Sequence, residues 1–150
     1  MDLARSIALQ ILFIAPLFWL FELVQNQFFR VVINRGEYGW YYPDSPFPDK
    51  WFSFWSLLLW ASAAATFGLL QHFFFDPRGT PWWTRALIAG PIGWTGELAT
   101  GLLSTQVFKR PFLVWNQSKL GLVRPIALPF WMSMVVLHQV LSHPISRGWR

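Results

Sequence analysis

The 150-residue chain has no cysteine and little charge. Without cysteine there are no disulfides, no thiolate metal sites and no thiol nucleophiles. Charged residues make up 13% of the chain, about half the share usual in soluble domains. Histidine is scarce as well, and the three present have no haem-attachment or zinc spacing around them. A phosphate-cradling glycine loop, a nucleophile elbow and a metalloprotease helix are all missing. The chain is therefore not expected to hydrolyse ATP itself. The reading leans away from an enzyme, with no catalytic residue and no metal ligand set assigned.

Apolar surface is what the chain has in excess. Hydrophobic residues make up 54% of it, including 11 Trp and 15 Phe. A soluble domain of this length has too little interior to hide that much, so lipid is the expected solvent. The net charge of +5 comes from Lys and Arg concentrated between apolar stretches. That placement suits anchoring to anionic lipid head groups and gives no reason to invoke nucleic acid.

Four stretches approach the ~20 residues needed to cross a hydrocarbon core. They cover residues 3–29, 51–75, 83–108 and 125–143. Each should be a helix, because a lone segment in lipid must satisfy its own backbone. The first is read as a retained helix. Its apolar region is too long for a signal peptide, it contains Pro16 and Glu22, and no small-x-small site follows. The expected fold is an all-α integral membrane protein, one transmembrane domain over residues 1–150, in a bacterial inner membrane or an equivalent one.

Two connecting segments are half apolar. "NRGEYGWYYPDSPFPDK" (34–50) is rich in Pro, Tyr and acids, and "KRPFLVWNQSKLGLVR" (109–124) is basic. Both should lie in the interface or dip into the bundle. Residues 76–82 read as a short turn. Trp40 to Tyr42, Trp51, Trp82, Trp83 and Trp149 fit interfacial aromatic belts.

The chain also repeats itself. "PLFWLFEL" (16–23) aligns with "PIGWTGEL" (91–98), pairing Pro16 with Pro91, Trp19 with Trp94 and Glu22 with Glu97. The offset of 75 is half the chain, and Leu12 and Leu87 match at the same offset. A weaker echo sets Gln71-His72 before Pro77 against His138-Gln139 before Pro144. This predicts two tandem helix–loop–helix halves, roughly 1–75 and 76–150, related by a pseudo-twofold along the membrane normal. Parallel repeats of this kind occur in transporters, with sites at the repeat interface.

Glu97 has no other charged residue between Arg85 and Lys109, and Glu22 is its mate in the other half. A carboxylate inside a span is by default a functional-site candidate. One reading is a paired acid site for a cation, a proton or a polar head group. The other is a latch, in which each Glu accepts hydrogen bonds from a loop Arg or a Trp indole. Arg35 is the expected partner, with Arg110 or Arg124 from the third connection. Asn34, Trp19 and Trp94 complete this polar centre. Gly93, Glu97 and Gly101 share a helix face flanked by Gly90 and Gly96, a pattern that lets another helix approach. His72, His138 and His143 are candidate axial ligands for a haem or chlorophyll-type pigment.

These residues carry a resemblance. The Trp-x-x-Glu of the first helix is followed by "NRG" (34–36), and "GELATGLL" (96–103) leads through Trp115 and Gly121 to Trp131. Together they resemble a small family of membrane proteins labelled ABC-transporter permeases, whose vertebrate relatives are known as numbered transmembrane proteins. The usual Asp-Tyr after the tryptophan is replaced here by Asn116-Gln117. The resemblance implies a multi-helix membrane protein and supplies no reaction. Two functions follow as expectations. The first is a non-catalytic subunit of a larger membrane complex, packing against partner helices, lipids or pigments. The second is a small permease-like protein handling a polar solute or ion at Glu22 and Glu97.

Overall fold

A computed structural model describes residues 2–147 of the chain. Among them are four long helices: α1 (Leu3–Phe28), α2 (Ser56–Leu70), α3 (Trp82–Leu102) and α4 (Leu128–Arg147). Two short strands, β1 (Trp40–Tyr41) and β2 (Val114–Trp115), pair antiparallel and join the two long connections. Trp149 and Arg150 lie outside the described residues.

Local chemistry sets the helix ends. The Asp2 carboxylate accepts from the backbone N–H of Arg5 at 2.7 Å and caps α1. At their far ends α1, α2 and α3 widen into π turns over Phe29–Ile33, Gln71–Phe75 and Leu103–Val107. After α1 and α3 the chain stops in the same way. Arg35 (φ 51°) and Lys109 (φ 54°) take left-handed conformations. Gly36 N–H then reaches back to Arg30 O at 2.7 Å, and Arg110 N–H to Ser104 O at 3.0 Å. Pro16, Pro91 and Pro144 all lie inside helices. The fourth helix therefore runs through Pro144, past the boundary expected at 143.

Polarity is arranged inside out relative to a water-soluble bundle. Gln10, Glu22, Gln25, Asn26, His138 and Ser142 are buried, whereas Leu12, Phe13, Leu20, Val24, Leu58, Phe73, Leu87 and Val140 are exposed. Buried polar groups need partners, and large exposed apolar faces need a non-aqueous neighbour. Three helical segments are long and apolar enough to cross a membrane: Leu3–Ile33, Ser56–Arg78 and Pro125–Ile145. The third expected span is helical but does not reach that apolarity. Arg85, Glu97, its threonines and its glycines dilute it.

The closest packing joins α1 to α2 and α3 to α4. At Gly68 an added Cβ would lie 2.5 Å from Gln10 Oε1 on α1. At Gly90 it would lie 2.5 Å from the Met132 side chain and 3.1 Å from its Cα on α4. Gly90 permits a backbone approach that a larger residue would prevent, and Gly68 leaves room for the Gln10 and Ile7 side chains.

Candidate functional site: two carboxylates in a cage of rings

Glu22 lies less than two turns before the end of α1 and is only 3% exposed. Its Oε1 accepts from the Trp40 indole N–H at 2.9 Å and from the Tyr42 hydroxyl. Its Oε2 accepts from the Trp60 indole N–H of α2 at 2.7 Å. Burial, and then the adjacent Glu22 carboxylate, hold the Tyr42 hydroxyl well above its ordinary pKa, so it remains a donor. Glu97 on α3 is treated alike. Trp115 of β2 donates to its Oε1 and Trp131 of α4 to its Oε2, each at 2.7 Å. Four of the five contacts come from indole N–H groups, which can only donate, and each carboxyl oxygen accepts one of them.

The tryptophans also meet one another. Trp40 and Trp115 face each other across the β1–β2 ribbon with ring centroids 4.8 Å apart and planes at 40°. Trp60 and Trp131 pair at 5.4 Å and 38°. Each glutamate therefore ties its own helix to a connecting loop and to a neighbouring helix. Both carboxylates and all four indoles line one cavity of about 20 Å³. That is room for about one water-sized guest.

Beneath Glu22, one turn on, Asn26 is fully buried and clamps the first loop. Its Oδ1 accepts from the N–H groups of Gly39 (2.7 Å) and Trp40 (3.3 Å). Its Nδ2 donates to the carbonyls of Trp40 (3.1 Å) and Trp51 (3.2 Å). Asn26→Ala should strip loop one of these four bonds at a net cost of about 2–6 kcal/mol, taking roughly 0.5–1.5 kcal/mol per bond. Limited proteolysis checks it: cleavage within residues 34–50 should speed up markedly. An unchanged cleavage rate would show that the clamp does not hold the loop.

Several expected site residues stand elsewhere. Arg35 is exposed, and no arginine contacts either glutamate among the described hydrogen bonds and ion pairs. The physical reason is geometric. Arg35 follows the helix stop, more than three turns beyond Glu22, while the ribbon folds Trp40 back beneath it. Asn34 donates to Tyr38 O at 3.1 Å and accepts from Arg124 at 3.4 Å, on the loop side. Arg110 is exposed. Trp19 donates to Ser53 O at 3.0 Å and Trp94 to Arg124 O at 3.1 Å, so this pair pins loop carbonyls and does not touch the carboxylates.

Gly93 approaches the Trp131 ring, where a Cβ would lie 2.3 Å away, and Gly101 sits 3.1 Å from Leu122 by the same measure. Gly96 faces open space, where an added Cβ would meet nothing within 4 Å. His138 is buried, hydrogen-bonded through Nε2 to Gln10 Oε1 at 2.9 Å and packed against Phe18 and Phe67. His72 and His143 lie exposed. Among the described residues no group of three or more His, Asp or Glu is placed to hold a metal ion.

Trp40, Tyr42, Trp60, Trp115, Trp131 and Asn26 are the site residues the sequence reading missed. Trp40 and Tyr42, which by sequence suit an interfacial belt, are both buried. A signal was available: Trp40 follows Glu22 by 18 residues, and Trp115 follows Glu97 by the same 18. No family model matches the chain, and neither does any curated protein or solved structure.

Proposed function

We propose that the chain is a multi-pass membrane protein in which all four helices cross the bilayer as two pseudo-symmetric halves. It serves as a non-catalytic subunit of a larger membrane complex, in a bacterial inner membrane or an equivalent one. The symmetry rests on matched pairs. Residues 75 apart, Glu22 with Glu97 and Trp40 with Trp115, do the same work in each half. Trp40 and Trp115 also oppose each other in register, as equivalent residues do at a twofold axis.

The observation that carries the subunit reading is the saturation of the polar centre. Both carboxylates are engaged by ring donors, and the cavity between them is about 20 Å³. Such a centre holds helices and loops together and offers no polar path to a solute. The apolar faces of α1, α2 and α3 remain for partner helices and lipid.

Native mass spectrometry of the protein released gently from its own membrane tests this reading. A stoichiometric partner subunit is the expected result. A bare monomer or homo-oligomer would overturn it and turn attention to the second reading, a permease-like role at Glu22 and Glu97. That alternative is favoured by one observation: two buried carboxylates line a single cavity with no cationic side chain among its lining residues. Transport lost in Glu22→Gln/Glu97→Gln, with assembly intact, would establish it.

A further inference from the structure

The two caged acids have more lone pairs than donors. An ionised carboxylate offers about four lone-pair sites. Glu22 takes three donors and Glu97 two. Roughly three sites therefore stay open on two acids that line one cavity. No Lys, Arg or His is among the residues lining it.

A third acceptor joins them. Gln25 lines the same cavity and is 5% exposed. Its Nε2 donates to Phe130 O at 3.5 Å, and its Oε1 accepts from no side chain or backbone group among the described residues. No partnerless polar atom of these buried side chains is sealed from free space, so this oxygen faces a void. The donors around the cavity are committed. The four indole N–H groups and the Tyr42 hydroxyl go to the carboxylates, and the Gln25 amide goes to Phe130. The other lining side chains are apolar.

A guest here must bring positive charge, be no larger than a water molecule and accept few ligands. Water brings protons without charge. Mg²⁺ keeps several of its waters and Ca²⁺ takes at least six oxygens, and a cavity of about 20 Å³ has no room for either shell. An alkali cation can exchange its hydration for protein oxygens. Indole rings are the best aromatic neighbours for a cation.

We propose that the cage holds one dehydrated alkali cation, bound by Glu22, Glu97 and Gln25 Oε1. It is the counter-ion that lets two acids share a buried cavity, since buried charges need an opposite charge. The inference goes beyond the subunit reading, and the ion is a resident of the cage and not a cargo. Tyr42 and Leu59 line both this cavity and an outer groove of about 470 Å³, so the ion enters through a wall of side chains.

The test melts the purified protein in non-ionic detergent and follows tryptophan fluorescence. Buffers run from N-methylglucamine chloride to KCl or NaCl at fixed ionic strength and pH, because the organic cation is too large for the cage. The expected result is an unfolding constant that falls tenfold for each tenfold rise in K⁺ or Na⁺ above the dissociation constant, the slope for one ion per folded chain. Gln25→Leu gives up one long hydrogen bond and should fold. It should move the response to roughly tenfold higher cation concentration, the loss of one oxygen ligand to a charge. Glu97→Gln should flatten the response.

Coincident melts in alkali and N-methylglucamine chloride would overturn the proposal. If those melts shift with pH instead, the pair shares a proton and the void holds no cation. A response unchanged in both variants would place the ion elsewhere on the protein and sink the site. None of these outcomes depends on whether native mass spectrometry finds a partner subunit, so the two readings fail separately.

Discussion

Glu22→Gln should destabilise the bundle by about 2–4 kcal/mol, although it changes the side chain's size very little. The carboxylate takes two donors at Oε1 and one at Oε2. A glutamine oxygen can replace one of these atoms and not both. Its amide nitrogen must then face either the Trp60 indole or the Trp40 and Tyr42 pair, donor against donor. A buried donor left without an acceptor costs roughly 1–3 kcal/mol, and the remaining bonds lose their charge assistance. Glu97→Gln should cost less, since Glu97 holds two donors and is only partly buried. Chemical unfolding in detergent, followed by tryptophan fluorescence, measures both. Equal midpoints for the native and Glu22→Gln proteins would remove the latch. A gain in stability would mean that repulsion between the two carboxylates outweighs their donors.

Gly93→Val should break the second half of the same cage, and Gly96→Val should not. An added Cβ at Gly93 meets the Trp131 ring at 2.3 Å, where something must move. Trp131 is the ring that donates to Glu97 Oε2. A branched side chain there forces Trp131 off the carboxylate, with overpacking strain of about 1–3 kcal/mol added to the orphaned acceptor. At Gly96 an added Cβ meets nothing within 4 Å, so the same substitution three residues on should leave unfolding within about 0.5 kcal/mol of the native value. Near-ultraviolet circular dichroism reports the Trp60–Trp131 pair directly. Its loss in Gly93→Val and retention in Gly96→Val is the expected outcome. Matching spectra for the two variants would show that close approach at Gly93 carries no weight. Phe18 stands 75 residues before Gly93, and its ring packs edge-on against Trp60 at 5.8 Å. The two halves thus support equivalent tryptophans by different means, a bulky ring in one and an absent side chain in the other.

The repeat was readable from residues 16–23 and 91–98, and its offset of 75 carries through to the caging tryptophans of the loops. Its weaker echo in α2 and α4 was misplaced by one helical turn. Aligning Gln71-His72 with His138-Gln139 uses an offset of 67. The contacts use 71: Trp60 matches Trp131, the carbonyl of Ser53 matches that of Arg124, and Gln71 meets Ser142 at 3.0 Å. Buried positions agree, since Ala63, Ala64 and Phe67 correspond to Met134, Val135 and His138. A shift of four residues preserves the helix face, so polar pairs near a proline look equally convincing in either alignment.

What the sequence determined by itself was solvent, class and spacing. Its apolar excess required something other than water around the helices, and its lone acids had to be buried with partners. The identity of those partners was decided by tertiary structure alone. Arginine is the obvious counterpart for a carboxylate when charge is the only guide, and Arg35 lies close by in sequence. The antiparallel pairing of residues 40–41 with 114–115 instead turns two indoles inward and leaves Arg35 at the rim. Helical periodicity is a local property, written into each segment and visible without its neighbours. A ribbon between two loops 75 residues apart is not, because nothing in either loop states which face the other will meet.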